Sequence, residues 1–176
     1  VGRARGRTEE LTLAGMKLGE IAAEVSKQYG ANPQTMELAI ADVHEQAKAR
    51  ITVPTDIRVT VEKVKDICVV NACFGSLVNR TLARLLAYKA AEEAGEATGT
   101  TIDPYRILLR SKSLEPEEIV QILKGRLSEM QRDLHKIVED SRFFRWRLAQ
   151  VARRMGVLDR EAEVTSSVLD KLARAL

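Results

Sequence analysis

The sequence lacks the features on which several classes of protein depend. Its two cysteines, Cys68 and Cys73, are too few for a disulfide-rich scaffold or for a zinc site with several cysteine ligands. No apolar run approaches the ~20 residues that a helix needs to cross a bilayer, and no signal peptide opens the chain. These absences predict a cytoplasmic protein that has no membrane partner.

Recognisable catalytic motifs are also missing. The chain has no GxxxxGK[ST] phosphate-binding loop, no GxGxxG, no HExxH and no GxSxG. Its two histidines, His44 and His135, have no cysteine or carboxylate at metal-ligand spacing, so we expect surface or structural roles for both. We therefore predict that this chain carries no catalytic residue, metal site or cofactor of its own, and no ATPase activity.

The length and the apolar content of the chain suffice for one globular domain. The 176 residues match the usual size of a domain, and 45% of them are apolar. The first residue is Val1 rather than Met, so we expect a piece of a longer protein. We predict a single domain with a helical hairpin over 1–50, a mixed part over 51–110 and a helical part over 111–176.

Arginine is concentrated in two short stretches, although the net charge of the whole chain is only +3. This asymmetry indicates an anionic partner. For the first stretch, a loose terminus is the alternative that we favour. The first stretch contains Arg3, Arg5 and Arg7, and the second, which has no acidic residue, contains Arg142, Arg145, Arg147, Arg153 and Arg154.

Hydrophobic periodicity predicts an α+β fold that is mainly helical with a small antiparallel sheet. The alternating pattern from residue 57 and the continuous apolar run that ends at residue 74 predict a β-hairpin over 57–74, and a third strand is expected near 105–110. Cys68 and Cys73 fall on opposite faces of the hairpin, so we expect unpaired thiols. Stretch 95–101 is predicted to be a loop. Helical spacing marks 8–29, 33–47, 77–93, 116–125, 127–139, 142–155 and 160–175.

The helix predicted over 142–155 has the most informative pattern. At about 100° per residue, an apolar stripe of Phe144, Leu148, Val151 and Met155 shares one face, and Trp146 lies opposite it among arginines. Guanidinium groups bind phosphates and an indole stacks on bases, which suits a single strand of nucleic acid. The alternative is that Trp146 belongs to the core and is covered by arginine. The predicted nucleic-acid-binding residues are Arg142, Arg145, Trp146, Arg153 and Arg154.

Four segments resemble, in their order, a known family. They are Val-Pro-Thr-Asp-Ile-Arg-Val-Thr-Val-Glu at 53–62, Val-Asn-Ala-Cys-Phe-Gly-Ser-Leu-Val-Asn at 70–79, Asp-Pro-Tyr-Arg at 103–106, and Ser-Arg-Phe-Phe-Arg-Trp-Arg at 141–147 with Val-Ala-Arg-Arg-Met-Gly at 151–156. Over about 30–176, the chain resembles the DEAD/H-associated domain that follows the motor in archaeal and bacterial large-helicase-related (Lhr) proteins and their archaeal Ski-like relatives. The resemblance implies that Phe74-Gly75 and Asn79 are structural joints between a strand and a helix.

The resemblance also implies a function. The parent protein would be a superfamily-2 helicase, whose RecA-like motor lobes use ATP and Mg²⁺. The partners of this domain would be those lobes and a winged helix of the same protein. The domain itself would grip or guide single-stranded or partly duplex nucleic acid. Two other functions stay open: a protein-interaction module that docks the helicase onto a partner, and a stand-alone nucleic-acid-binding regulator.

Overall fold

The fold is mainly helical with one small antiparallel sheet, which confirms the predicted α+β class. The computed structural model describes residues 1–95, 98–125, 127–159, 161 and 163–174. Within them, the elements in chain order are α1 (Gly2–Leu13), α2 (Leu18–Tyr29), α3 (Pro33–Lys48), β1 (Thr60–Val64), β2 (Ile67–Asn71), α4 (Ser76–Ala94), β3 (Gly99–Ile102), β4 (Arg106–Arg110), α5 (Pro116–Leu123), α6 (Leu127–Glu139), α7 (Arg142–Arg154) and α8 (Ser166–Arg174).

The chain forms two compact units, Val1–Leu123 and Lys124–Leu176. The first unit contains α1 to α5 and the whole sheet, and the second contains α6 to α8. The boundary follows α5, whereas the sequence pattern placed the start of the helical C-terminal part at residue 111. A single accessory domain over 1–176 stays a prediction.

The N-terminal part contains three helices, so the single helix predicted over 8–29 is wrong. α1 ends before Gly15, whose φ of +86° lies in the left-handed region that favours glycine. The N–H of Met16 then donates to the carbonyl of Leu11 at 3.1 Å, which closes the end of the helix. Thr8 does not cap a helix start, because its hydroxyl donates to the carbonyl of Ala4 inside α1 at 2.8 Å.

The first arginine stretch is not a loose terminus, and that prediction is also wrong. Arg3 Nε lies 3.3 Å from an oxygen of Asp56, and Arg5 Nε donates to the carbonyl of Pro54 at 2.9 Å. Arg7 forms ion pairs with a glutamate of α1 at 2.9 Å and with a glutamate of α2 at 3.4 Å. These arginines therefore hold α1 against α2 and the segment before β1.

The sheet has the strand order β1-β2-β4-β3, and every neighbouring pair is antiparallel. The predicted hairpin over 57–74 and the predicted strand near 105–110 are confirmed as β1–β2 and β4. β3 contradicts the loop predicted over 95–101 at residues 99–101, while residues 96 and 97 lie outside the described residues. Its four residues, Gly-Thr-Thr-Ile, form an exposed edge strand, and such a strand needs no alternating apolar pattern because its side chains bury little.

One face of the sheet packs against helices and forms the largest core. Buried side chains from β2 and β4, such as Val70 and Ile107, meet Leu86 of α4 and Ile119 of α5. Cys68 is buried in the same core, and burial raises the pKa of its thiol. Both cysteines are free thiols, as predicted.

A buried asparagine joins two of the family segments. Asn79, in the first turns of α4, is fully buried, and its Nδ2 donates to the carbonyls of Ala72 at 2.9 Å and Asp103 at 3.0 Å. Gly75 precedes the helix with a φ of +85°, which a residue with a side chain rarely adopts. The structural joints implied by the resemblance are therefore confirmed.

The second unit contains helices at the three predicted places, with one shortened. Ser141 begins α7 as predicted, because its Oγ accepts a hydrogen bond from the N–H of Phe144 at 3.2 Å. α8 begins at Ser166 rather than at residue 160, and the described residues 161 and 163–165 are not helical. The other residues predicted to be helical there, 160, 162 and 175, lie outside the described residues.

Candidate nucleic-acid interface

α7 packs in the second unit through small side chains. Its buried residues are Ala149 and Ala152, whereas Val151 and Met155 of the predicted apolar stripe are 54% and 75% exposed. The C-terminal half of this apolar stripe is therefore not covered by neighbouring helices. Periodicity shows which residues share a face, but the neighbouring helices decide which face is covered.

Trp146 lies at the surface. Its exposed fraction is 52%, so the alternative that assigned it to the core is wrong. About half of this residue's surface is therefore accessible to another molecule. The sequence contains no other tryptophan.

Trp146 stands in the wall of a groove of about 430 Å³ within the second unit. The floor is mostly apolar, and arginines line the same hollow on the α7 side. Four of the five residues predicted to bind nucleic acid lie together here. The residues that line the groove are Arg142, Arg145, Trp146, Ala149, Gln150 and Arg153 of α7, with Val164 and Leu169 from α8 and the segment before it.

The four predicted arginines differ in their surroundings. Arg145 forms ion pairs with Asp140 at 3.1 Å and with Asp170 of α8 at 3.0 Å, so two carboxylates already compensate its charge. Arg142 is exposed and Arg153 is half-buried in the groove wall. Arg154 is exposed but is not among the residues that line the groove. Of the three arginines that line the groove, Arg142 is therefore the one that is exposed to solvent, and Arg145 joins α7 to α8.

The predicted set omits two neighbours of Trp146. The guanidinium carbon of Arg147 lies 5.5 Å from the ring centroids of both Phe143 and Trp146, and the two rings are 6.4 Å apart with an angle of 34° between their planes. The spacing of Phe143 and Arg147, four residues apart on a helix, was a signal for this contact. No sequence pattern indicated Val164 or Leu169, which reach the groove through the packing of α8.

The histidines and the acidic side chains offer no further candidate site within the described residues. His44 is buried, and its Nδ1 lies 2.8 Å from the Thr12 hydroxyl, which confirms a structural role; His135 is exposed. Among the residues that the structure describes, no three His, Cys, Asp or Glu side chains come together in a way that could hold a metal ion. Within the same residues, every helix is too short or too polar to cross a membrane.

Comparison with known proteins gives a family and a related fold. Residues 53–173 match the family model described as DEAD/H associated. The fold is similar to the structure of Mycobacterium smegmatis helicase Lhr bound to ssDNA and AMP-PNP, with a TM-score of 0.59 and 17% sequence identity. That match covers 96% of this chain but 22% of the helicase chain. No curated protein matches the sequence.

The family match has consequences for the site. It starts at the segment before β1, includes the joint around Asn79 and ends inside α8, so the whole sheet and the whole groove fall within it. The resemblance of the four sequence segments is thereby confirmed. The match extends over more than half of the sequence, and the chain therefore belongs to the DEAD/H-associated family.

Proposed function

We propose that this chain is a nucleic-acid-binding accessory domain of an ATP-dependent superfamily-2 helicase that works in the cytoplasm. The observation that carries this function is the half-exposed Trp146 beside Arg142 and Arg153 in one groove. Membership of the DEAD/H-associated family supports it, as does the similar fold of a helicase whose structure contains ssDNA. The RecA-like lobes and the winged helix of the parent protein would be its partners.

The groove offers the two kinds of contact that a single strand requires. The indole of Trp146 would stack on a base. Any base can take part in this contact, because each has a π-face. Along α7, Arg142 lies about 6 Å before Trp146 and Arg153 about 10 Å after it, at a rise of ~1.5 Å per residue. Cations on both sides of the indole would contact successive parts of the backbone, and Arg154 would extend the positive surface beyond the groove.

The direct test is Trp146→Ala. Affinities for single-stranded DNA and RNA oligonucleotides are measured by fluorescence anisotropy, both for this chain and for the longer protein that includes the motor. A base stack contributes ~1–3 kcal/mol, so binding should weaken by roughly tenfold or more. Tyr29→Ala removes a similarly exposed aromatic ring from α2 and serves as the matched control. Unchanged affinity of Trp146→Ala in both proteins would contradict the proposed stacking.

The electrostatic part is tested with Arg153→Ala. We expect weaker binding to all sequences and a slope of log K against log salt that is lower by roughly one, because one phosphate contact is lost. Arg84→Ala removes an exposed arginine from α4 in the first unit and should leave the slope unchanged. Equal slopes for Arg153→Ala and the unmodified chain would exclude a phosphate contact at this residue.

ATP and Mg²⁺ would be bound by the motor lobes and not by this chain. Purified chain incubated with Mg-ATP should therefore release no more phosphate than a sample without protein, since its sequence has no phosphate-binding loop. Sustained phosphate release that follows the purified chain through a final column would contradict this division of labour.

A further inference from the structure

The sheet of the first unit has a second face that faces solvent. The register of the strands places Glu62 of β1, Val69 of β2, Leu108 of β4 and Thr101 of β3 in one row across this face. Every residue on the face is exposed or half-buried, in contrast to the buried row that meets α4 and α5. Its centre is aliphatic and consists of Val64, Ile67, Val69 and Leu108.

Two hollows meet on this face at the end of the β1–β2 hairpin. One, of about 220 Å³, is lined by residues of β3 and β4 with Ile67. The other, of about 740 Å³, extends from Val64 past the turn to Lys112. Ile67 and Arg110 line both, so the two hollows adjoin, and together we call them the sheet trough.

The rim of the sheet trough is positively charged. Lys65, Arg110 and Lys112 are exposed there, and Asp66 is the single acidic residue in the lining. None of these three cations forms an ion pair with a described residue, unlike Arg3 and the other paired arginines of α1. An aliphatic floor with unneutralised cations on its rim complements a ligand that is apolar on one side and acidic at its edges.

The chemistry of the sheet trough favours a protein over a nucleic acid. Platforms for single strands use aromatic rings, and the residues of this face and trough include no aromatic side chain. Strand addition is disfavoured because both edge strands are short: β1 has five residues and β3 has four. Four strands spaced ~4.8 Å apart span about 14 Å, which accommodates one helix with a diameter of ~10 Å.

We propose that the sheet trough docks an acidic amphipathic helix of a partner protein. Apolar side chains of the helix would lie on Val64, Ile67, Val69 and Leu108, and carboxylates on its flanks would pair with Lys65, Arg110 and Lys112. With five-residue strands at ~3.3 Å per residue, the face is about 16 Å long and about 14 Å wide. This is small compared with the ~800 Å² that each partner buries in a standard interface, so we expect weak binding when the helix is a free peptide. This surface belongs to the first unit, whereas the Trp146 groove belongs to the second.

The test uses isotope-labelled chain and a synthetic peptide of about 12 residues with leucines at helical spacing and glutamates on both flanks. In heteronuclear NMR titrations, we expect amide shifts to change in the stretches 64–69, 99–101 and 108–112. A second peptide with lysine in place of every glutamate should bind at least about tenfold more weakly, because its charges repel the rim.

Substitutions on the rim and on the floor of the sheet trough test the two kinds of contact separately. Arg110→Glu combined with Lys112→Glu should weaken binding of the glutamate peptide by at least about tenfold, whereas Arg84→Glu on α4 should change it by less than about twofold. Val64→Ser removes an exposed apolar group and should also weaken binding; circular dichroism verifies that each variant is folded. The glutamate peptide should bind Trp146→Ala and the unmodified chain equally.

Four results would overturn the proposal. They are no shift with the glutamate peptide at millimolar concentration, shifts elsewhere in the chain, equal binding of the lysine peptide, and stronger shifts of the same residues with a single-stranded oligonucleotide. The last would make the sheet trough a nucleic-acid surface.

Discussion

The two units differ in how far their large side chains are buried and in how their arginines are paired. In the first unit, large apolar residues such as Leu85, Leu86 and Ile107 are fully buried, and the arginines of α1 bond to neighbouring segments. In the second unit, the buried residues of α7 are alanines, while Phe143 and Trp146 are 68% and 52% exposed. The first unit thus has a core of large apolar side chains, whereas α7 in the second unit exposes two of its aromatic side chains.

The comparison shows that a cluster of arginines is not by itself a binding site. Both arginine stretches are basic in the sequence, with three arginines in the first and five in the second. Arg3 and Arg7 have carboxylate partners within the first unit, whereas Arg142 has no ion-pair partner among the described residues and lines a groove with Trp146. The partners of each cation, and not the local charge, distinguish structural arginines from candidate ligand-binding ones.

The largest expected effect is on the core of the first unit. Leu86→Ala should lower the free energy of unfolding by about 2–5 kcal/mol, because it removes a fully buried side chain and leaves a cavity. Urea denaturation followed by circular dichroism measures the change. Leu38→Ala, at a position that is 83% exposed on α3, is the matched control and should cost less than about 0.5 kcal/mol. Similar losses for both variants would show that the first unit does not have the core described.

A smaller loss is expected when the buried joint is broken. Asn79→Ala leaves the carbonyls of Ala72 and Asp103 without their donor, which should cost about 1–3 kcal/mol. Thermal unfolding gives the difference. Asn71→Ala is the comparison, because it also removes two side-chain hydrogen bonds, but at a half-buried position of β2, so its loss should be smaller. If Asn79→Ala unfolds at the same temperature as the unmodified chain, the two hydrogen bonds do not support the fold.

Within the second unit, substitution of Arg145 should lower stability, whereas substitution of Arg142 should lower oligonucleotide affinity. Arg145→Ala removes two partly exposed ion pairs, each of which contributes about 0.2–1 kcal/mol, whereas Arg142→Ala removes none among the described residues. Fluorescence of Trp146, the chain's one tryptophan, reports on unfolding of this unit. We expect an earlier transition for Arg145→Ala and weaker oligonucleotide binding for Arg142→Ala. If instead Arg145→Ala weakened oligonucleotide binding and Arg142→Ala unfolded earlier, Arg145 would be the phosphate ligand.

The smallest effect concerns pH and the loop before β4. Burial acts to raise the pKa of Asp103, but it is outweighed by hydrogen bonds from the Arg106 side chain and from the backbone of Tyr105 and Arg106, so the pKa lies below its ordinary value. A carboxylate with a lowered pKa stabilises the fold above its unfolded pKa of about 3.9, and this contribution is lost as the pH falls through the folded pKa.

Asp103→Asn isolates that charge, since an amide oxygen can still accept the two backbone hydrogen bonds. We expect a loss of less than about 1 kcal/mol at neutral pH, which disappears in acid as the pH falls through the lowered pKa of the folded state. Denaturant titrations across this pH range measure it, with Asp42→Asn on the exposed face of α3 as the control. A difference that is constant with pH would assign the effect to packing and not to the charge.

Much of the fold could be predicted from the sequence because its signals are local. The alternation and apolar run within 57–74 are properties of neighbouring residues, and so is the serine that caps α7 at residue 141. The resemblance of the four segments anticipated the joint at Gly75 and Asn79. The break at Gly15 was also available locally, but the apolar spacing on both sides of it favoured a continuous helix.

The tertiary structure alone decided which partner each side chain has. β3 forms because β4 offers it a free edge, although its own residues carry no strand pattern. The carboxylates that neutralise Arg3 and Arg145 come from other elements, so charge along the chain could not separate these arginines from Arg142. The sequence by itself determined the family, the α+β class and the exposed-helix candidate at Trp146. The covered face of α7 and the contribution of α8 to the groove depend on packing between helices, which no periodicity within one helix records.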